Sequence, residues 1–323
     1  MDTEQFFLLN DDSPSFDAYT ELAPDERKDV DEHVELARHV KEIYGLFRIF
    51  LFNVEALREN YELYAYGGAF RNGVLAESED DYFRINAYVI NILTGGKALK
   101  DSMETFVSSN LAEGSSERIA FDNANHSLYD GCFSYRFLLR LRDFTQHAHL
   151  PVDCFAGVYN FNLATIQAKP HFDHNAKMKA EMLRFRDEMI KLYNSNPTLS
   201  LTLTLAEYVS VLLSLLSKFF DIVKPIIFAS TQRYSEVAAR YSSNVINGGF
   251  VYAIIDNIAH LIDINDNTNE MIDKYFDEVV EKTIQFQQEW AELTEGMICI
   301  RRTDKGVELS IMSTLFYREE DAE

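Results

Sequence analysis

The sequence predicts a mainly α-helical protein, and three observations carry this prediction. Apolar residues recur every three to four positions over long stretches, which is the spacing of one face of a helix. Six prolines and 13 glycines in 323 residues are fewer than a turn-rich β protein needs. Hydrophobic residues make up 47% of the chain, enough to bury a core, and this excludes disorder of the whole chain.

The N-terminal part is expected to hold a polar arm followed by two long helices. Residues 1–28 are polar and carry two prolines, which favours a loosely held arm. Helical periodicity then runs over residues 29–66 and stops at two glycines. A second helix begins in an acidic turn and covers about 78–109. Gly95 and Gly96 in its middle indicate either a kink or close packing against a neighbour, since glycine costs helix stability.

The rest of the chain is expected to be helical with a small antiparallel sheet. Helical patterns are found at 115–124, 132–149, 174–194, 205–241 and 267–294, with a further helix expected near 248–263. Polar and apolar residues alternate over 157–166, which predicts a strand. Segments 297–302 and 307–314 flank an Asp-Lys-Gly turn and predict a β-hairpin, to which the strand at 157–166 could add as a third strand.

Composition narrows the functional classes. A net charge of −22 argues against broad binding to nucleic acid and leaves room only for a local basic pocket. The acidity is interpreted as a source of solubility. Three widely spaced cysteines without a paired motif argue against a disulfide framework or zinc knuckle and fit a reducing compartment.

A cytoplasmic location without membrane contact is expected. The N-terminus is acidic and lacks the basic region of a signal peptide. The longest apolar stretch, residues 208–229, is interrupted by charged residues and by Pro225, so it is interpreted as a buried helix.

The segment from Arg142 to His147 is the candidate for chemistry. Four residues separate this arginine from this histidine, near the end of an aromatic-rich helix that stops before Pro151. Asp143 lies four residues before His147 and Gln146 four residues after Arg142, so each shares a helix face with its partner. Arg27 and His33 form a pair of similar spacing without this context.

This segment resembles the HEPN superfamily of helical ribonuclease and nucleotide-binding domains. The hallmark of that superfamily is an arginine and a histidine with four to six residues between them, the first of which is polar. The stretch 141–147 also looks like the LRN-(aromatic)-xQH stretch of a group of bacterial HEPN-like proteins, with Asp143 where asparagine is common. The resemblance implies a HEPN-like helical domain at 29–151, preceded by the arm at 1–28 and followed by a helical region at 152–323 that ends in the hairpin.

The resemblance implies a metal-independent endoribonuclease or toxin-like effector of a bacterial defence or stress system. Arg142 would hold phosphate and His147 would transfer the proton. Residues five apart lie about 140° apart on one helix, so two copies in a homodimer would complete a composite site. The supporting residues would be Arg140, Asp143, Gln146 and His149. Neither a cofactor nor a metal is needed.

Two other interpretations remain open. The segment can be an ordinary helix end, since a cationic histidine suits a helix C-terminus and Asp143 can pair with Arg140 or His147. The chain can also be a noncatalytic interaction or sensor module with a protein partner or antitoxin, which fits the acidic surface. A metal site is not expected, because His171 and His174 lack an obvious third ligand.

Overall fold

The protein is described by a computed structural model. It describes residues 6–8, 23–66, 79–145, 150–155, 158–162, 180, 183–187, 191, 198–241, 250–255, 258–263, 267–294, 298–304 and 306–311. These residues are mainly helical with small antiparallel sheets, which confirms the predicted fold class.

The chain divides into two compact units. Unit 1 comprises 1–42 and 220–278, and unit 2 comprises 43–219 and 279–323. Residue 151, the predicted end of the HEPN-like domain, lies inside unit 2. The assignment of such a domain to 29–151 stays a prediction.

The described residues include six long helices and eight strands. The helices are α1 (Pro24–Tyr66), α2 (Glu79–Asn110), α3 (Ser116–Gly131), α4 (Phe133–Thr145), α5 (Leu201–Tyr241) and α6 (Thr268–Thr294). The strands are β1 (Phe6–Leu8), β2 (Asp153–Phe155), β3 (Val158–Asn162), β4 (Thr198–Ser200), β5 (Phe250–Ile255), β6 (Ile258–Asp263), β7 (Ile298–Thr303) and β8 (Gly306–Ile311).

Unit 1 joins the start of α1 to the second half of α5 and the start of α6. His33 lies at this junction and is 3% exposed. Its Nδ1 is 3.2 Å from the Ser230 hydroxyl, and its ring centroid is 4.3 Å from that of Tyr234. Arg27 pairs instead with Asp31 at 3.5 Å. The second Arg–His pair of the sequence therefore contributes a core histidine and a separate surface ion pair.

The sheet of unit 1 corrects one prediction. Strands β5 and β6 form an antiparallel hairpin where a helix was predicted near 248–263, and β1 pairs with β5. A short apolar run rich in β-branched residues fits a strand as well as a helix, so periodicity alone could not separate them. The assignment of 1–28 as an arm stays a prediction; β1 and the first residues of α1 are the described parts of that range. Helix α1 begins at Pro24, a residue favoured at the first helical position.

Unit 2 is built around the first half of α5. The ring of Phe219 lies edge-on to Phe106 of α2 at 5.3 Å and to Phe121 of α3 at 6.1 Å between centroids. Gly96 of α2 lies against Tyr208 and Leu212 of α5, where an added Cβ would overlap both side chains. Gly96 therefore serves close packing, one of the two predicted alternatives.

Two small sheets complete unit 2. The predicted C-terminal hairpin is confirmed as β7 and β8, with Gly306 at a positive φ of 113° in its turn. Strand β3 lies between β2 and β4 and does not join this hairpin, so its prediction as a third strand there is wrong. Only two residues separate the end of β2 from the start of β3. Such a short connection favours pairing between strands that are consecutive in sequence.

Within the described residues, no helix carries an apolar stretch long enough to cross a membrane. The apolar run at 208–229 is part of α5, and Tyr208, Leu212 and Phe219 within it are fully buried. Its interpretation as a buried helix is confirmed.

The substitution Gly96→Ala is expected to lower the free energy of unfolding by about 1–3 kcal/mol. The new methyl would overlap the Tyr208 hydroxyl and come within 2.7 Å of a Leu212 methyl, and neither buried side chain has room to move away. Guanidinium denaturation followed by circular dichroism measures the change.

The matched control is Gly95→Ala. Its methyl would meet Phe50 at 3.7 Å, an ordinary contact. Since alanine is the better helix former, this variant should be as stable as the parent or more stable by up to about 1 kcal/mol. Equal losses in both variants would contradict the packing of α2 against α5.

Candidate functional site

Helix α4 holds the candidate site in place through aromatic rings on two opposite sides. Phe133 and Phe137, four residues apart on one side, stack at 5.8 Å between centroids, and Phe137 lies edge-on to Phe161 of β3 at 5.9 Å. Tyr135 lies about 160° away around the helix and meets Tyr208 of α5 at 6.1 Å. All these rings are buried. Burial on both sides determines where the last turn of α4 points.

The arginines of α4 have different environments. The Arg136 guanidinium donates to the carbonyl oxygens of Tyr129 at 3.0 Å and Asp130 at 2.6 Å, both in the last turn of α3. Its charge therefore caps α3, a favourable use of a cation at a helix C-terminus. Arg140 is exposed on the outer side of α4.

Arg142 lies in the last turn of α4. Its carbonyl accepts a hydrogen bond from the Thr145 hydroxyl at 2.7 Å, which satisfies one of the final carbonyls of the helix. Its side chain is 24% exposed, and its Nη1 is 3.5 Å from the Asp143 carboxylate. The structure pairs Asp143 with Arg142. The expected pairing of Asp143 with His147 falls outside the described residues, and both expected pairings stay predictions.

The buried phenol of Tyr208 lies within electrostatic range of Arg142. Burial, and after it the charge of Asp101, raises the pKa of Tyr208, while the positive charge of Arg142 lowers it. The phenol therefore stays protonated, and Arg142 is close enough to act on it electrostatically. Among the described residues the Tyr208 hydroxyl has no hydrogen-bond partner. This electrostatic influence was not anticipated from the sequence, where Tyr208 is one residue of a long apolar run.

A separate set of polar contacts begins at Tyr135, whose ring neighbours that of Tyr208, and leads to the partly exposed Glu104. The hydroxyl of the neighbouring Tyr135 donates to Asn125 at 3.5 Å, and the Asn125 amide donates to Glu104 at 2.8 Å. Glu104 also forms an ion pair with Lys100. Burial is the largest cause that raises the pKa of Tyr135, so this hydroxyl also acts as a donor.

Cys132 precedes α4 and is fully buried. Burial, followed by the carboxylate of Glu207, raises the pKa of the Cys132 thiol well above its ordinary value. A protonated, inaccessible thiol is a poor nucleophile. Cys132 is therefore a core residue.

An acid-lined depression of about 380 Å³ lies between α2 and α3. Its carboxylates Asp101 and Glu104 each form an ion pair with a lysine one turn earlier, Lys97 and Lys100 respectively. Among the described residues no group of three histidine, cysteine, aspartate or glutamate side chains is placed to hold a metal ion.

The predicted site residues divide into two groups. The structure places Arg140, Arg142 and Asp143 on α4, with Arg142 and Asp143 in contact. Gln146, His147 and His149 lie outside the described residues. The convergence of Arg142 with His147 therefore stays a prediction.

Comparisons of this chain with protein-family models, with curated proteins and with solved structures find no match. The HEPN resemblance consequently depends on the segment from Arg142 to His147 and on its position at the end of an aromatic-rich helix.

Replacing Tyr208 by phenylalanine is expected to raise the free energy of unfolding by about 1 kcal/mol, because a buried hydroxyl without a partner is removed while the ring stays. Replacing Tyr135 by phenylalanine should lower it by about 1 kcal/mol, since Asn125 loses its donor. Chemical denaturation at neutral pH measures both. A loss of stability in Tyr208→Phe as large as that in Tyr135→Phe would contradict the described environments.

Alkylation of the native protein is expected to discriminate between two cysteines. Cys154 is exposed, whereas Cys132 is buried with a raised pKa. Iodoacetamide at mildly alkaline pH should label Cys154 at least about 100-fold faster, with the difference lost on unfolding. Mass spectrometry of the digested protein locates the label. Comparable labelling of both thiols in the native state would show that Cys132 is not in a closed core.

Proposed function

We propose that this chain is a metal-independent endoribonuclease, with Arg142 binding phosphate and His147 transferring the proton. The observation that carries the proposal is the environment of Arg142. This side chain is three-quarters buried, is attached to a helix anchored by buried aromatic rings, and lies five residues before a histidine. A guanidinium held in this way keeps its donors in a fixed position with little loss of side-chain entropy on binding.

The chemistry needs only groups that the motif supplies. The 2′-hydroxyl of RNA attacks the adjacent phosphorus, its proton passes to a base, and the bond to the 5′-oxygen breaks. The leaving oxygen takes a proton, so the products are a 2′,3′-cyclic phosphate and a 5′-hydroxyl. Histidine titrates near neutral pH and can serve in either proton transfer, and arginine neutralises the developing charge on the phosphorane oxygens.

A composite site built from two copies is part of the proposal. One α-helix would place residues 142 and 147 about 140° apart. A two-fold axis would bring the arginine of one copy near the histidine of the other. RNA would enter a small basic pocket within an acidic protein, so its association should depend on these local contacts and not on long-range attraction.

A noncatalytic interaction module is the second candidate, and the Arg142–Asp143 pair favours it. The Asp143 carboxylate lies 3.5 Å from Nη1 of Arg142, where it competes with a phosphate oxygen for the same donor. The net charge of −22 also repels RNA. In this candidate, the end of α4 would bind another protein, such as an antitoxin or a sensor component.

Cleavage of a mixed RNA substrate by the full chain tests the proposal. With excess chelator present, the wild type should release fragments ending in a 2′,3′-cyclic phosphate, and DNA of the same sequence should remain intact. His147→Ala and Arg142→Ala are each expected to reduce the single-turnover rate by about 10²–10⁴-fold. Gel electrophoresis and mass spectrometry of the fragment ends supply the readout.

Two exposed residues of the same types provide matched controls. His126→Ala on α3 and Arg38→Ala on α1 remove a comparable group far from the motif in sequence and should retain full activity. Cleavage that is equal in wild type and His147→Ala would mean that His147 has no role. Absence of cleavage by the wild type on every RNA tested would favour the noncatalytic module.

Mixing the two inactive variants tests the composite site. In a dimer with one chain of each kind, the intact Arg142 of one copy faces the intact His147 of the other. A mixture of Arg142→Ala and His147→Ala chains should therefore recover a substantial fraction of the wild-type rate. No recovery after exchange of subunits would place both residues of an active site in one chain.

A further inference from the structure

The outward face of α1 in unit 2 carries exposed apolar side chains. Phe52 is 70% exposed and Ile49 is 59% exposed, although both belong to a long helix whose opposite face is in the core. That opposite face is fully buried at Phe47 and Phe50. Single exposed apolar residues are common on protein surfaces, so their arrangement matters more than their presence.

The arrangement is a continuous stripe. We define the outer face of α1 as Gly45, Arg48, Ile49, Phe52, Glu55 and Ala56. Gly45, Ile49, Phe52 and Ala56 follow one another at steps of three and four residues, which aligns them along one side of the helix. A Cβ added at Gly45 would meet nothing within 4 Å, so another helix can approach the backbone closely at this point.

The stripe is symmetric about its centre. The midpoint between Ile49 and Phe52 coincides with the midpoint between Gly45 and Ala56. In an antiparallel pair of identical helices related by a two-fold axis at this point, each Ile49 faces a Phe52 and each Gly45 faces an Ala56. Small residues then lie opposite small residues at the ends, and large residues meet at the centre.

The charges along one edge of the stripe match the same arrangement. Arg48 and Glu55 are both exposed and lie seven residues apart, on the same edge of the helix. Their midpoint is about one residue, roughly 1.5 Å, from the centre of the apolar stripe. With the axis at the centre of the apolar stripe, antiparallel pairing places the Arg48 of each copy opposite position 53 of the other, about two residues from Glu55, so the long arginine side chain can form an ion pair with Glu55 on each side of the axis.

We propose that the outer face of α1 binds the same face of a second copy of this chain in an antiparallel helix pair. The partner is argued from self-complementarity: the two-fold centres of the apolar stripe and of the charged edge lie within about one residue of each other, close to the single axis that an isologous contact requires. In a parallel pair, one edge of each helix would meet the other edge of its partner. Arg48 would then not face Glu55. The proposal does not rest on ribonuclease activity.

The association is expected to be weak. About three turns of a single helix bury less than the roughly 1,200–2,000 Å² typical of stable complexes. The net charge of −22 on each copy adds repulsion, which at about 0.15 M salt is screened beyond roughly 8 Å. The dimer should therefore depend on protein concentration.

Sedimentation velocity of the full chain, from about 1 µM to about 1 mM, measures the association. Wild type should convert from monomer to dimer within this range. Phe52→Glu should weaken the dimer by about tenfold or more, and Phe83→Glu should not. Phe83 is the matched control, since it is a 49% exposed phenylalanine on α2 and its replacement changes the charge equally. Circular dichroism checks that each variant retains its helices.

A charge exchange tests the antiparallel geometry. Arg48→Glu alone and Glu55→Arg alone each place like charges opposite one another and should weaken the dimer. The double variant restores opposite charges and should recover the wild-type dissociation constant to within about threefold.

Three outcomes would overturn the proposal. The first is a wild-type monomer throughout the concentration range. The second is a dimer that Phe52→Glu does not weaken, which would place the interface elsewhere. The third is a double charge variant no tighter than the single variants, which would exclude the antiparallel arrangement.

Discussion

Between Thr204 and Ser217 every side chain of α5 is buried, and unit 2 depends on the burial of this segment. A helix that is apolar all round gains stability only when other elements cover each of its sides. Its few polar side chains need partners in the same dry environment. The Ser217 hydroxyl donates to the Leu213 carbonyl at 2.9 Å and lies 3.1 Å from Thr283 of α6. Helix α6 thus covers one side of α5 and meets its polar groups.

The other sides of α5 determine the surroundings of the candidate site. Helix α2 approaches α5 closely because Gly96 leaves room for the Tyr208 ring and hydroxyl. Helix α4 then packs Tyr135 against Tyr208. Arg142, in the last turn of α4, has a side chain that is partly buried and partly exposed. Its partial burial explains why a neighbouring carboxylate, Asp143, accompanies it, since a desolvated charge is costly without a counter-charge.

At the proposed phosphate site, this pairing would have two opposite effects on binding. The protein holds the guanidinium of Arg142 near one place, which favours recognition of a planar arrangement of oxygens. The same carboxylate that stabilises Arg142 in the absence of ligand has to yield when an anion arrives. A site of this kind would bind phosphate selectively but weakly, and contributions from a second copy would matter. The self-complementary face of α1 offers a separate means of bringing two copies together.

Periodicity was enough to predict the long helices and the C-terminal hairpin, and the glycines of α2 indicated either a kink or the close packing found at Gly96, because these features depend on neighbours in sequence. The strands at 250–255 and 258–263 were predicted as a helix, since a short apolar run lacks a distinguishing period. The sheet that contains β3, the burial of His33 and the partners of Arg136 and Arg142 were decided by tertiary structure. Each of these depends on which distant side chains share the same low-dielectric space, and sequence spacing carries no information about that. Arg27 and His33 resemble Arg142 and His147 in spacing, yet packing around Ser230 and Tyr234 makes the first histidine part of a core.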